Sequence, residues 1–231
     1  MEKHNWLIIK IVKVTFELTA SLFKILYRHV KYSAYSLIYT YKEHYGERKF
    51  GIDTCESYLY KDDLSLHKDG HPYYATPYYV IECMIAYLKL NSGDVFVDFG
   101  CGKGRVALLV SARQIEKVIA IELNPELAAI ARKNSTLFKL SKTPITFINA
   151  DAATCEVNEG TVFYMFNPFK ETTLHTVLDN IKKSLSINPR AVRILCFKPL
   201  FSHVLDKQDW LTFEGEIGLT DVSVWRSKRS K

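Results

Sequence analysis

The sequence predicts an α/β fold, in which a mostly parallel sheet carries helices on both faces and ends in an antiparallel hairpin. From residue 95 onward, short apolar runs of strand length alternate with stretches of helical periodicity, which is typical of repeated βαβ units. The last two strand-like runs, Trp210 to Glu216 and Asp221 to Trp225, have no helix between them and predict the hairpin. We expect this domain to comprise residues 48–231.

Residues 1–47 are predicted to form an amphipathic, Tyr-rich helical extension. Between Trp6 and Val30, charged and polar residues recur at steps of three or four and give one narrow polar face. These charges disfavour a membrane-spanning helix, and the lack of an uninterrupted apolar run disfavours a secretory signal. Two alternatives stay open: the helix binds a membrane surface, or it packs on the domain or on a second subunit.

The composition limits the class of protein. The five cysteines are scattered, without a Cys-x-x-Cys pair or a histidine at zinc spacing, so we expect neither disulfides nor a metal site. This usage favours a cytoplasmic location, and the extension would allow one that is peripheral at a membrane. The formal charge of +6 is concentrated at the two ends, where it suits an anionic membrane or RNA but also simply aids solubility.

An irregular stretch joins the extension to the domain, because Arg48 to Thr54 interrupts the helical pattern. The first helix of the domain is predicted to begin with Thr76 as its N-cap and Pro77 in the first helical position. Apolar residues at helical spacing form its buried face: Val80, Ile81, Met84, Ile85 and Leu88.

The most informative segment runs from Val95 to Arg105. It is a buried strand that ends in an acid, Asp98, followed by a glycine-rich turn and then a helix. The turn contains Cys101 and the three alternate glycines Gly100, Gly102 and Gly104. Such glycines allow a tight turn and a close approach of ligand, and the helix that follows directs its first amides at the ligand. The segment therefore predicts a nucleotide-cofactor site.

The remaining elements follow in order. They are a helix from Arg105 to Gln114, a strand from Lys117 to Glu122, a helix from Asn124 to about Leu140, a strand from Ile145 to Asp151, a strand from Thr161 to Phe166, a helix from about Glu171 to Leu185 and a strand from Val192 to Phe197. Because carboxyl ends of parallel strands share one edge, Asp98, Glu122 and Asp151 are expected to lie near one another.

Charge decides between two cofactors, since Gly102 to Ala107 also satisfies the dinucleotide fingerprint. Asp98 would repel the pyrophosphate of NAD, whereas it would attract the sulfonium and ammonium groups of S-adenosylmethionine. Glu122 fits a contact with ribose hydroxyls in either cofactor. Asp151 can accept a hydrogen bond from the adenine amine. The sequence thus favours S-adenosylmethionine.

From about Tyr73 onward, the order of these motifs resembles that of class I S-adenosylmethionine-dependent methyltransferases. The resemblance implies a Rossmann-like methyltransferase sheet with a terminal antiparallel pair, and an enzyme that uses S-adenosylmethionine. It implies that Asp98 to Gly104 is the cofactor loop, Glu122 the ribose acid and Asp151 the adenine acid. Asn167, Pro168 and Phe169 correspond to the motif that follows the fourth strand.

More narrowly, the chain is similar to a group of largely uncharacterised bacterial-type methyltransferases, through Arg48 to Thr54, Gly102 to Arg105, Phe166 to Phe169 and Asn180 to Leu185. The segment Tyr73 to Pro77 is also similar to non-SET protein-lysine methyltransferases, in which such a segment covers the cofactor. That similarity places Thr76 among the expected cofactor contacts.

In a methyltransferase, Asn167 would orient an amine through its side-chain carbonyl, Pro168 would fix the turn and Phe169 would line the pocket. The motif resembles the Asn/Asp-Pro-Pro-aromatic motif of amino-methylating enzymes, although only one proline follows Asn167 here. A lysine acceptor must lose a proton, which apolar and aromatic surroundings favour. Candidates for such surroundings are Tyr74, Tyr78, Tyr79 and Phe169.

The leading hypothesis is N-methylation of a protein lysine. One alternative is methylation of RNA or of a small molecule, although no RNA-binding module accompanies the domain. Another is a non-catalytic binding protein with the same fold. The sequence does not indicate an oligomeric state.

Overall fold

The structure is a computed structural model that describes residues 43, 45–55 and 73–228. The chain divides into two compact units, Met1–Tyr45 and Gly46–Lys231. Nearly all of the predicted extension lies outside the described residues, so its amphipathic helix and its membrane contact stay predictions. Among the described residues, no helix combines the length and the apolar character needed to cross a lipid bilayer.

A seven-stranded sheet organises the domain, with the strand order β3-β2-β1-β4-β5-β7-β6. The strands are β1 (Val95–Phe99), β2 (Lys117–Glu122), β3 (Ile145–Asn149), β4 (Val162–Met165), β5 (Arg193–Phe197), β6 (Leu211–Glu216) and β7 (Val222–Ser227). β1 to β5 pair in parallel, whereas β7 runs antiparallel to both β5 and β6. The predicted fold class is therefore confirmed.

Five helices are described besides the short helical segment that ends at Phe50. They are α1 (Tyr78–Leu88), α2 (Arg105–Ser111), α3 (Pro125–Leu137), α4 (Glu171–Ile187) and α5 (Ser202–Asp206). The sequence does not predict α5, because five residues are too few for a periodic pattern. The predicted end of the N-terminal helical pattern at Arg48 is too early, because the helical segment continues to Phe50 before Gly51 turns the chain at φ +66°.

The predicted start of α1 is wrong by one residue. Pro77, with φ −58° and ψ 143°, is the N-cap, and no side chain caps the helix. The Thr76 hydroxyl is instead paired with the Tyr164 hydroxyl at 2.7 Å. Because that partner lies 88 residues away in sequence, local capping rules alone cannot predict it.

The core lies on both faces of the sheet because successive strand residues point to opposite sides. On one face, Phe96 and Tyr164 pack with residues of α1 and α2, such as Met84. On the other face, Phe99 packs with residues of α4 and α5. Both layers are apolar, so each strand of the parallel part is covered by helices.

The chain reverses its direction of winding at β1. It adds β2 and β3 on one side of β1, and then returns to place β4 and β5 on the other side. The connections after β1 and β4 therefore leave in opposite directions and open a crevice at the carboxyl ends of these strands. In open α/β sheets such a crevice is the usual ligand site.

Candidate functional site

One cleft occupies this crevice and encloses about 1030 Å³, counted with the solvent-open part of its mouth. It includes nine of the eleven predicted site residues, namely Thr76, Asp98, Gly100, Cys101, Glu122, Asp151, Asn167, Pro168 and Phe169. Gly102 and Gly104 do not line it. This volume includes open solvent, so it describes the extent of the cleft and not the size of a ligand.

The glycine loop requires its glycines at two close contacts. A Cβ on Gly102 would lie 2.1 Å from the ring of Tyr73, and Gly102 has a φ of +54°. A Cβ on Gly100 would lie 2.3 Å from Cβ of Pro168. The amides of Gly100 and Cys101 both donate to the carbonyl of Ile121, at 2.9 and 3.0 Å, which fixes the loop against β2. Gly102 does not line the cleft, but its lack of a side chain lets the ring of Tyr73, which does line it, pack against the loop.

Asp98 is the buried acid of the cleft. Its side chain is 2% exposed, and its Oδ2 is, within the part of the chain that the structure describes, the one buried side-chain oxygen or nitrogen without a hydrogen-bond partner. Burial raises the pKa of this carboxyl to about 8, against an opposing hydrogen bond from the backbone of Ala107. A buried, unpaired carboxylate oxygen is unfavourable unless a cationic or hydrogen-bond-donating ligand pairs with it. The residue thus fits a positively charged ligand.

Glu122 lies at the end of β2 and joins the cleft to the glycine loop. Its Oε2 accepts from the amide of Gly102 at 2.7 Å, and its Oε1 accepts from the amide of Asn124 at 2.9 Å. Burial raises the pKa of this carboxyl, and backbone hydrogen bonds from Asn124, Gly102 and Leu123 lower it. Each carboxylate oxygen retains a second acceptor site, so Glu122 can also accept from a ligand's hydroxyl groups.

Asp151 follows β3 and caps the short 3-10 turn Ala152–Thr154. Its Oδ1 accepts from the amide of Ala153 at 2.9 Å, and the residue is exposed at the edge of the cleft. The other carboxylate oxygen has room to accept from a ligand. Asp98, Glu122 and Asp151 therefore follow one another along the edge of three adjacent strands, as the sequence predicts.

Asn167 begins the opposite side of the cleft and has a φ of +43°. Its Nδ2 donates to the carbonyl of Lys198 at 2.8 Å, and its Oδ1 accepts from the amide of Leu200 at 3.0 Å. The carboxamide thus ties the turn after β4 to the turn after β5. This bonding differs from the expectation that its carbonyl orients an acceptor amine.

Pro168 packs on Gly100, and Phe169 is both a lining residue and part of the core. The Phe169 ring meets Phe99 edge-on, with centroids 6.3 Å apart. Of the other aromatic candidates, Tyr74 lines the cleft and is 61% exposed, whereas Tyr78 and Tyr79 lie outside it. Phe166, at the end of β4, adds a further aromatic wall.

The site also includes residues that the sequence does not predict, among them Tyr73 and Arg105. Tyr73 lines the cleft and presses on Gly102, and Arg105 lies buried at the start of α2. An arginine in the first turn of a helix is ordinarily solvated, so the sequence offered no signal for its burial. Within residues 45–55 and 73–228, no three acidic, histidine or cysteine side chains form a group suited to a metal ion.

Residues 96–188 match the model of a family described as a methyltransferase domain. Residues 96–188 thus form a methyltransferase domain of the class that uses S-adenosylmethionine. The match begins in β1 and ends just after α4, so it includes the glycine loop, Glu122, Asp151 and Asn167. The unpaired oxygen of Asp98 suits the cation that this cofactor class carries.

Known relatives of the methyltransferase domain have different acceptors. A protein-lysine N-methyltransferase of Saccharolobus islandicus is 28% identical over 101 residues, which are 41% of this chain and 59% of that protein. A tRNA1(Val) (adenine(37)-N6)-methyltransferase of Shewanella amazonensis is 36% identical over 80 residues, 34% of this chain and 33% of that one. The chain therefore spans less than two thirds of either relative.

Among solved structures, an RNA methyltransferase of Salinibacter ruber in complex with S-adenosyl-L-homocysteine superposes with a TM-score of 0.51. It is 19% identical and covers 68% of this chain and 95% of its own. At this identity the likeness shows the shared fold.

Proposed function

We propose that the methyltransferase domain transfers a methyl group from S-adenosylmethionine to the side-chain amine of a protein lysine. In this proposal Asp98 pairs with the cationic part of the cofactor, Glu122 accepts from the ribose hydroxyls and Asp151 accepts from the adenine amine. Thr76, Gly100 and Cys101 complete the wall of the cleft around it. Gly102 and Gly104 hold the loop in the required shape.

Bound S-adenosylmethionine supplies an electrophilic methyl group, so the protein mainly has to align the acceptor nitrogen and exclude water. A lysine amine has a pKa of about 10.4 in water and must be neutral to react. Tyr74, Phe166 and Phe169 line the cleft and disfavour the ammonium form. The reaction then needs no strong base in the protein.

The hydrogen bonds of Asn167 are the observation that favours one class of methyl acceptor over another. A nucleobase amine is recognised through paired donors and acceptors on a planar edge, which a free carboxamide can match. Here both ends of the Asn167 carboxamide already bind the backbone, at Lys198 and Leu200, which fixes the plane of the group, so that its remaining donor and acceptor cannot turn toward a base. This arrangement supports an aliphatic amine held by apolar walls over adenine in RNA. The two sequence relatives agree only in that each acts on a nitrogen.

The test is to incubate the purified chain and radiolabelled S-adenosylmethionine with two separate acceptor pools. One pool is nuclease-treated total protein and the other is protein-free total RNA. We expect label in the protein pool, recovered after acid hydrolysis as methylated lysine. Label recovered from the RNA pool as N6-methyladenosine would contradict the lysine assignment while leaving the methyltransferase assignment in place.

Asp98→Asn serves as the control, because it removes the charge without changing the shape of the side chain, and we expect it to abolish labelling.

Thermal unfolding with S-adenosylhomocysteine, combined with the labelling result, distinguishes an enzyme from a non-catalytic binding protein. At 100 times the dissociation constant a ligand adds about 2.7 kcal/mol, or roughly 5–11 °C for a chain of this size. Such a shift without label in either pool would favour a binding protein with the same fold.

A further inference from the structure

Arg105 is a deeply buried charged side chain at the cleft, with 2% exposure. Its Nε donates to the hydroxyl of Thr54 at 2.7 Å, and its Nη1 donates to the carbonyl of Thr76 at 3.0 Å. Its Nη2 lies 3.2 Å from Oε1 of Glu47. One guanidinium thus joins three parts of the chain: α2, the segment before α1, and residues 47–55. We call residues 47–55 the strap.

Burying this charge would be unfavourable without compensation. Glu47 supplies the opposite charge, and the guanidinium also lies over the ring of Tyr78, 4.3 Å from its centroid. Arginine suits this position because its planar group directs several donors at fixed angles, which lysine cannot do. The burial is therefore specific to arginine and connects the strap to the start of α2.

The strap is also held at its far end. The amide of Asp53 donates to Oδ1 of Asn134 at 3.1 Å, and Nδ2 of Asn134 donates to the carbonyls of Asp53 and Lys103 at 2.9 and 3.0 Å. Asn134 is a buried residue of α3 and does not line the cleft. The strap is thus a fixed part of the domain against which other residues can pack.

Tyr73 contacts the strap. Its hydroxyl donates to the carbonyl of Thr54 at 2.9 Å, and its ring lies against Gly102 of the cofactor loop. A continuous set of contacts therefore leads from Arg105 through Thr54 to Tyr73, and a second leads from Arg105 directly to Thr76. Residues 73–76 all line the cleft.

We propose that Arg105 is a positioning residue of the cleft, which fixes residues 73–76 against the glycine loop by binding both the strap and Thr76. The identity of the ligand rests on the proposed function, whereas the positioning of residues 73–76 does not. A purely structural role for Arg105 would predict that its loss lowers stability without a selective effect on these residues or on ligand affinity.

Arg190 provides a matched control for that alternative. Its Nε donates to the carbonyl of Gly160 at 2.7 Å and its Nη2 donates to the hydroxyl of Ser184 at 2.9 Å. Arg190 is half-buried and, like Arg105, binds several segments, but it does not line the cleft. Arg105→Lys and Arg190→Lys therefore both remove guanidinium hydrogen bonds between segments, the first at the cleft and the second away from it.

The first measurement is amide hydrogen exchange of the ligand-free chain. We expect Arg105→Lys to increase exchange in residues 47–55 and 73–76, with little change in β3 or α4. Arg190→Lys should leave these two segments as in the wild type. Equal exchange of residues 73–76 in the two variants would overturn the proposal, whatever ligand the cleft binds.

The second measurement is the dissociation constant of S-adenosylhomocysteine by calorimetry. We expect Arg105→Lys to weaken binding about tenfold, as the loss of one or two hydrogen bonds to charge would. Arg190→Lys should stay within about twofold of the wild type at a similar loss of thermal stability. Equal weakening by both variants would indicate a general loss of structure and overturn the positioning role.

Two further variants keep the test decisive if Arg105→Lys does not fold. Glu47→Gln removes the charge that pairs with Arg105, Thr54→Val removes the hydroxyl that Arg105 binds, and neither residue lines the cleft. Both should change exchange and affinity in the same direction as Arg105→Lys. A wild-type chain that binds no S-adenosylhomocysteine would contradict the proposed cofactor, while the exchange result would still decide the role of Arg105.

Discussion

The side chain of Glu122 holds the backbone of Gly102, through a 2.7 Å hydrogen bond from the Gly102 amide to Oε2. The end of β2 therefore sets the position of the glycine loop, in addition to any contact that Glu122 makes with a ligand. One acid combines a structural and a binding role, so the two can be separated only by substitutions that keep the shape of the side chain.

Glu122→Gln is expected to destabilise the chain and to weaken S-adenosylhomocysteine binding. Glu122 accepts hydrogen bonds from two backbone amides, one on each carboxylate oxygen, whereas a glutamine side chain has only one oxygen. An amide left unpaired in this buried position costs about 1–3 kcal/mol. Chemical denaturation and calorimetry measure the two effects. Glu126→Gln, on the exposed first turn of α3, is the control, and an equal loss in both variants would contradict the prediction.

Gly102→Ala is expected to abolish ligand binding, because the new Cβ would lie 2.1 Å from the Tyr73 ring. The comparison is Gly218→Ala, since Gly218 has nearly the same φ, +55°, but a Cβ on it would meet nothing within 4 Å. The left-handed conformation costs each variant about 1–2 kcal/mol. The difference between their thermal shifts with S-adenosylhomocysteine therefore reports how strongly the clash with Tyr73 affects ligand binding. Equal shifts would show that this contact does not matter.

Stability of the ligand-free chain should fall as the pH rises from about 4 to about 8, in part because of Asp98. In this range the Asp98 carboxyl keeps its proton in the folded state, where its pKa is about 8, and loses it in the unfolded state, where its pKa is 3.8. The folded state thus binds more protons, and stability decreases with pH. Asp98→Asn should gain stability relative to the wild type as the pH rises, which melting curves across this range measure. A difference that is constant with pH would rule out this titration.

The affinity for S-adenosylmethionine should increase as the pH approaches about 8. Below that pH the Asp98 carboxyl, whose pKa is about 8 in the ligand-free chain, must release its proton before it can pair with a cation. Affinity should therefore improve up to about tenfold per pH unit in that range. Calorimetry in buffers of different ionisation enthalpy also reports the released proton. Asp98→Asn should bind weakly and without this dependence.

Asn167→Ala is expected to slow methyl transfer more than it weakens cofactor binding. The substitution removes the hydrogen bonds to Lys198 and Leu200, each of which contributes about 1 kcal/mol, and it leaves alanine with a positive φ. Both effects act on the side of the cleft away from Glu122 and Asp151. The measurement compares the change in kcat, for the acceptor identified by radiolabelling, with the change in the dissociation constant of S-adenosylhomocysteine. A loss of affinity as large as the loss of kcat would contradict this division.

The parallel part of the sheet could be predicted from the sequence because each strand and helix has its own local pattern. The acids at the ends of β1 and β2, and the one just after β3, could be placed together because parallel strands share an edge. The partners of Thr76 and Asn167 could not, since they lie in distant segments that only the folded sheet brings near. The burial of Arg105 likewise depends on the strap, whose sequence has no periodic pattern from which its position could be predicted.

The strand order divides the chain into two parts that meet at the cleft. The residues proposed to contact the nucleoside come from β1 to β3, whereas Asn167 is held by the turn after β5, next to the terminal hairpin. Insertions or replacements after residue 197 would reshape the proposed acceptor side while the first three strands stay unchanged. Under the proposed function, a change of substrate therefore does not require a new cofactor site.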